Sequence, residues 1–148
     1  MEPGLQISFL WSDSDVIELS VTVANGDFSG TAKAYADHSW LSDAATILTG
    51  FPTHPSDKRK LCLGTIDPAF AGGGMEFLLS CRDSAGHAIA EIRLSNDGNT
   101  PWFGAPRQEV HMFALIEPSA IDDFVLSLQK LEAQHEGPAL LRFALPAS

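Results

Sequence analysis

The residues of this chain that could perform acid–base chemistry or hold a metal ion are scattered along the sequence. Histidine occurs at positions 38, 54, 87, 111 and 135, and no two of these have a metal-binding spacing such as H-x-x-x-H. Asp83 and His87 flank one turn, a spacing that suits a carboxylate–imidazole pair. The turn itself explains both residues better, because Asp83 caps it and His87 is the first outward residue of the next strand. We therefore predict no catalytic, cofactor-binding or metal-binding residue.

A run of three glycines at positions 72 to 74 is a second feature to consider, because glycine-rich loops can hold phosphate groups. This run precedes a predicted strand rather than a helix, and it lacks the Lys and Ser/Thr of a P-loop. The sequence also has no G-x-S-x-G motif of a hydrolase. We interpret the glycines as a flexible connection.

The two cysteines, Cys62 and Cys81, both lie within predicted strands. Because cysteine behaves as a small hydrophobic residue, we expect two buried free thiols, although a disulfide stays open if the two strands are neighbours. The chain has no charged and then apolar leader, and it has no apolar run approaching about 18 residues. These features favour a cytoplasmic protein that does not span a membrane.

The elements that position these residues are β-strands, and the clearest form a hairpin over Met75–Leu94. Apolar residues alternate with more polar ones on both sides of the turn Asp83–Gly86, and strand side chains point alternately to opposite faces. A four-residue loop places both apolar sets on one face. The predicted pairs are 81 with 88, 79 with 90, 77 with 92 and 75 with 94, and Glu76 opposite Arg93 is predicted to form an ion pair on the outer face.

A three-stranded antiparallel meander is predicted at the front of the chain. The dipeptide Asn25-Gly26 is typical of a two-residue hairpin turn, and this turn would set Glu18 opposite Lys33. The inward pairs would then be 23 with 28, 21 with 30, 19 with 32 and 17 with 34. An upstream strand alternates in the same way and would place Trp11 opposite Ile17 and Phe9 opposite Leu19, all facing inward.

Two amphipathic helices are predicted, one after Ser39 as N-cap and one from Ser119, and residues 139–145 are either a last strand or an apolar tail. The economical fold is α+β, with one antiparallel sheet of about seven strands in the order three-strand meander, helix, four strands, helix. Both helices would pack on one face, where the small residues Gly30, Ala32, Ala34 and Ala36 let a helix approach closely. We expect residues 1–148 to form a single domain.

The hairpin 75–94, with Asp83, a short turn and Gly86-His87 between two alternating strands, resembles a family of small uncharacterised bacterial α/β proteins. The order of early strands and a late amphipathic helix is similar as well. The resemblance implies an α/β sheet protein without established activity. Some such proteins are thought to be immunity or accessory proteins of toxin systems, which implies an immunity-like role here.

The formal net charge of −10 argues against nucleic-acid binding, because phosphates require Lys and Arg. An acidic chain of this kind is either simply soluble or complementary to a basic protein partner. The carboxylates are spread along the chain, so folding must assemble any acidic patch.

We therefore expect a non-catalytic protein-binding module with an acidic surface for a basic partner and with no nucleic-acid or membrane partner. The helix-free face of the sheet is the expected contact surface, and Lys33, Tyr35, Arg82 and His87 are its candidate partner-binding residues. The alternatives are a small-ligand-binding protein or enzyme, with a pocket between sheet and helices or under the loop around Trp102, and a homo-oligomer that uses a sheet edge.

Overall fold

The computed structural model describes residues 1–67, 72–96 and 107–144. Within these ranges the chain forms two helices and eight strands. Helix α1 is Trp40–Leu48 and helix α2 is Pro118–Gln134. The strands are β1 Gly4–Ser12, β2 Ile17–Ala24, β3 Ser29–Ala36, β4 Lys58–Gly64, β5 Gly74–Cys81, β6 Ala88–Ser95, β7 Glu109–Ile116 and β8 Pro138–Arg142.

The strands form two separate antiparallel sheets of four strands each. Sheet A has the order β3-β2-β1-β8, and sheet B has the order β4-β5-β6-β7. The prediction of a single seven-stranded sheet with both helices on one face is therefore wrong. The segment after α2 is a strand, since β8 pairs with β1 and places Leu141 opposite Leu5 and Ala139 opposite Ile7.

Strand β3 crosses one end of sheet B, which is the physical reason for two sheets. A Cβ atom added to Gly30 would lie 2.5 Å from Val110 Cγ2 at the start of β7, and one added to Gly64 would lie 2.9 Å from the Cβ of Ala34. The small residues of β3 therefore admit the ends of the sheet B strands at close range, whereas we expected them to admit a helix. Because β3 meets strand ends, no hydrogen-bonded ladder continues from β3 into β4.

The two helices pack against each other beside the sheets. Helix α2 lies along β8 of sheet A, and α1 contacts β4 of sheet B. Inward side chains from both sheets and both helices join one continuous apolar cluster, in which Leu5, Phe77 and Phe124 are almost completely buried. Burial of this apolar area is the main favourable contribution to folding. Neither helix in the described part of the chain is long and apolar enough to cross a membrane.

The register predicted for the 75–94 hairpin is confirmed at every pair, from Met75 opposite Leu94 to Cys81 opposite Ala88. The Asp83 side chain closes the turn, because its Oδ1 accepts the backbone N–H groups of Ala85 and His87 at 2.9 and 3.2 Å. Glycine at position 86 accepts a positive φ of 89°, which a residue with a side chain rarely adopts.

On the outer face of this hairpin, Glu76 lies opposite Arg93 as predicted. The Glu76 carboxylate nevertheless forms its ion pair with Lys60 on the neighbouring strand β4, at 3.8 Å. The predicted register is therefore confirmed, whereas the predicted ion pair of Glu76 with Arg93 is wrong.

The hairpin between β2 and β3 differs from its prediction by two residues. Its loop spans Asn25–Phe28, because the Asn25 side chain accepts the backbone N–H groups of Asp27 and Phe28 at 3.0 and 2.8 Å. The observed inward pairs are 23 with 30, 21 with 32, 19 with 34 and 17 with 36. An even shift keeps the same strand residues facing inward, but it places Tyr35 rather than Lys33 opposite Glu18.

Candidate partner-binding site

The four predicted partner-binding residues lie in two separate regions. Lys33 and Tyr35 are exposed on β3 of sheet A, whereas Arg82 and His87 lie at the β5–β6 turn of sheet B. Strand β3 crosses the end of sheet B opposite the β5–β6 turn. The strands of sheet B have up to eight residues and are about 25 Å long, which separates the two ends. The two pairs therefore do not share one surface, which corrects the expectation of a single helix-free face.

A bulge in β1 turns Trp11 out of the core, although the alternation of the strand predicts that it faces inward. Phe9 pairs with Leu19 as predicted, but Trp11 pairs with Glu18 instead of Ile17. A bulge inserts one extra residue into a strand, and the side chains beyond it change face. As a result, Trp11 is 42% exposed.

Trp11 and Tyr35 meet on the outer face of sheet A, on either side of Glu18. Strand β2 lies between β1 and β3, and Glu18 on β2 is the register partner of both aromatic residues. The two rings make an edge contact, with their centroids 5.9 Å apart and their planes at 68°. We call these three residues the Trp11–Tyr35 face.

Three exposed aspartates lie at the same end of sheet A, and we call Asp13, Asp15 and Asp37 the acidic rim. The Asp13 Oδ1 atom accepts the backbone N–H groups of Val16 and Asp15 at 2.9 and 2.8 Å, and these hydrogen bonds lower the pKa of Asp13. Asp15, Asp37 and Glu18 make no side-chain hydrogen bond or ion pair with any described residue. The negative charges at this end are therefore available to a partner.

The sequence pattern predicts Tyr35 as a partner-binding residue but assigns Trp11 to the core. The run Phe9-Leu10-Trp11 contains the signal, because three consecutive apolar residues interrupt the alternation of the strand. Such an interruption is consistent with a bulge, and Leu10 is 41% exposed on the same segment. The shift in the β2–β3 loop has no comparable signal, since Asn25-Gly26 also fits the shorter turn.

At the β5–β6 turn, His87 bridges two carboxylates. Its Nδ1 atom lies 2.6 Å from Asp83 Oδ2, and its Nε2 atom lies 3.3 Å from Oε2 of Glu117, the residue before α2. Asp83 therefore caps the turn, as predicted, and also forms the carboxylate–imidazole pair. The hydrogen bond to Asp83 and the charges of Asp83 and Glu117 raise the pKa of His87.

We expect this bridge to make stability depend on pH. A pKa raised in the folded state contributes stability that is complete below the unfolded value of 6.5 and is lost as the pH rises through the folded value. Because Asp83 is the larger cause, Asp83→Asn should lower the pKa of His87 further than Glu117→Gln does. NMR titration of the His87 ring in the three proteins measures this order. Identical titration curves would show that the bridge does not form in solution.

Both cysteines are free thiols. Cys62 is exposed on the outer face of β4, so its predicted burial is wrong, and Cys81 is partly buried. The strands β4 and β5 are neighbours, but Cys62 pairs with Glu76 and so lies away from Cys81 along the ladder. The Cys81 Sγ atom instead lies 3.6 Å from the carbonyl oxygen of His54.

The described residues contain no group of three or more His, Cys, Asp and Glu side chains that could hold a metal ion. Within the same ranges, every buried side-chain nitrogen and oxygen has a hydrogen-bond partner. The space between sheets and helices holds apolar side chains, and a cleft of about 410 Å³ beside Asp83 and His54 opens on the surface. The loop around Trp102, where the alternative pocket was expected, lies outside the described residues. We therefore take the Trp11–Tyr35 face as the candidate site.

Comparison of the chain with protein-family models, with curated proteins and with solved structures finds no match. The resemblance of the 75–94 hairpin to a family of small bacterial proteins therefore stays a prediction. Any functional conclusion has to rest on the geometry and charge of the chain itself.

Proposed function

We propose that this chain is a non-catalytic protein-binding module whose Trp11–Tyr35 face binds a basic protein partner. The observation that carries the proposal is the bulge in β1, which turns a tryptophan out of the core beside an exposed tyrosine and a carboxylate. Bulges that re-aim a side chain are over-represented next to functional sites. Tryptophan and tyrosine are also the residues most enriched among those that dominate binding energy at protein interfaces.

The distribution of charge supports a basic partner. The carboxylates of Asp15, Asp37 and Glu18 have no cation partner among the described residues, in a chain with a net charge of −10. On the outer face of sheet B, carboxylates are instead paired, Glu76 with Lys60 at 3.8 Å and Glu91 with His111 at 2.7 Å. Unpaired negative charge around an exposed aromatic pair accelerates association with a cationic protein and disfavours acidic ones.

The proposal includes an immunity-like role, in which the partner is a basic toxin that this chain masks. The resemblance of the 75–94 hairpin supports this role. The proposal also places the protein in the cytoplasm, a compartment in which free cysteines such as Cys62 and Cys81 stay reduced.

Trp11→Ala is expected to weaken binding to such a partner by at least about 30-fold, the effect of losing one dominant interface residue. Biolayer interferometry with purified basic bacterial toxin domains measures the affinity, at about 50 mM and about 300 mM NaCl. Binding to the unmodified protein should weaken at the higher salt, because charge attraction between exposed groups is screened.

Phe113→Ala is the matched control, since Phe113 is an aromatic residue that is 56% exposed on sheet B, away from the proposed face. It should leave the affinity unchanged. The proposal fails if no toxin domain binds in a salt-sensitive manner, or if Phe113→Ala costs as much affinity as Trp11→Ala.

A further inference from the structure

We infer that the partner group bound by the Trp11–Tyr35 face is an arginine side chain. The inference rests on the proposed function and adds the chemical group that the face recognises. The planar guanidinium of the partner's arginine would stack on the ring of Trp11 or Tyr35. The N–H groups of the same guanidinium would donate to the Glu18 carboxylate.

The first support is the shape of the face. Glu18 lies on β2 between Trp11 on β1 and Tyr35 on β3, so its side chain leaves the same face of sheet A as the two aromatic side chains. The ring planes are inclined at 68°, so the rings form two walls of a corner rather than a closed stack. Trp11 is 42% exposed and Tyr35 is 52% exposed, so both aromatic side chains reach the protein surface.

The second support is the unpaired charge of Glu18. Its side chain is partly buried and has no cation partner among the described residues. Lys33 lies two residues before Tyr35 on the same face of β3. It pairs in register with Ser20 and makes no ion pair with Glu18. A partly buried carboxylate attracts an added cation more strongly than a fully exposed one, because less water screens the interaction.

Arginine fits these features better than lysine. A guanidinium is planar and weakly hydrated, stacks on aromatic faces, and can present two N–H groups to one carboxylate. A lysine ammonium is a strongly hydrated point charge and would have to lose more water to enter the corner. Peptides of equal positive charge should therefore bind this face with different affinities.

The test is an NMR titration of the full chain with two blocked glycine–serine peptides of equal length, one with arginine and one with lysine at the same positions. We expect the arginine peptide to bind at least about 5-fold more tightly and to shift the indole N–H signal of Trp11. Glu18→Gln should remove most of this preference. Glu76→Gln changes a carboxylate on sheet B and should have no effect on it.

Equal affinities for the two peptides, or shifts that spare Trp11, would overturn the arginine assignment and leave a charge-driven binding module in place. Failure of both peptides to bind would overturn the assignment as well. The proposed function is decided separately, by the salt-sensitive binding of the basic toxin domains and by the Phe113→Ala control, so the two failures are distinguishable.

Discussion

Arg59→Ala is expected to lower the melting temperature by about 10 °C. The Nε and Nη2 groups of Arg59 donate to the two carboxylate oxygens of Asp57 at 2.9 and 2.7 Å. The Nη1 group donates to the carbonyl oxygens of Ile47 and Thr49 at 2.6 and 3.2 Å, at the end of α1. One side chain thus joins α1 to the segment before β4. Asp57 is only 7% exposed, so alanine at position 59 would leave a buried carboxylate without its cation.

The pH dependence of the lower melting temperature of Arg59→Ala tests whether the unpaired Asp57 carboxylate causes it. The hydrogen bonds from Arg59 and from the backbone of Thr53 hold the pKa of Asp57 well below its ordinary value of 3.8. A lowered pKa contributes stability that is complete above the unfolded value and is lost as the pH falls through the folded value. The difference in melting temperature between the unmodified protein and Arg59→Ala should therefore narrow below about pH 4. Thermal melts followed by circular dichroism over this pH range measure it.

Lys58→Ala provides the matched control, because Lys58 is the exposed basic neighbour of Arg59. It should change the melting temperature by no more than about 2 °C, as is usual for exposed surface substitutions. An equal loss in Lys58→Ala, or a loss in Arg59→Ala that does not change with pH, would contradict the buried-pair explanation.

Gly64→Ala is expected to lower the free energy of unfolding by about 3 kcal/mol or more. Gly64 has a φ of 58°, in the left-handed region that costs a residue with a side chain about 1–2 kcal/mol. An added Cβ would also collide with the carbonyl oxygen of Gly73 and lie 2.9 Å from the Cβ of Ala34 on β3. Relieving both contacts would require the Gly73 backbone to shift within sheet B and β3 of sheet A to move away from it.

Gly50→Ala separates the backbone cost of a positive φ from the cost of the steric collision at Gly64. Gly50 has a similar φ of 76°, but an added Cβ there meets no atom within 4 Å. Its substitution should cost only the backbone term, about 1–2 kcal/mol. Urea unfolding of both variants measures the difference. Equal costs would show that Gly73 and β3 do not approach Gly64 as closely in solution as the structure requires.

Local patterns predict both helices, seven of the eight strands in the described part of the chain and one complete hairpin register, but they leave β8 undecided. In the 75–94 hairpin, the alternation of two apolar sets and a turn that Asp83 closes permit a single register, so every predicted pair is observed. The β2–β3 hairpin is predicted less well, because Asn25 can close either a two-residue or a four-residue loop. The inward and outward assignments of the strand residues are nevertheless correct, since a shift of two residues keeps the same side chains facing inward.

The candidate site is predictable only in part. Tyr35 is identified from the sequence as an outward residue, whereas Trp11 is assigned to the core because simple alternation does not reveal the bulge. Glu18 becomes part of the site only through two observed registers, one on each side of β2. The expected single contact surface separates into two, since β3 lies at one end of sheet B and His87 at the other.

The sequence by itself determined which residues share a face of the strands in both hairpins, because alternation and turn chemistry act over a few neighbouring residues; beyond the bulge in β1 it did not. Only the tertiary structure decided that β8 joins β1, that β3 crosses sheet B, and that Trp11 meets Tyr35 beside Glu18. These arrangements depend on contacts between residues far apart in the chain. Their free energy comes from the shape and packing of whole elements, which no local pattern contains.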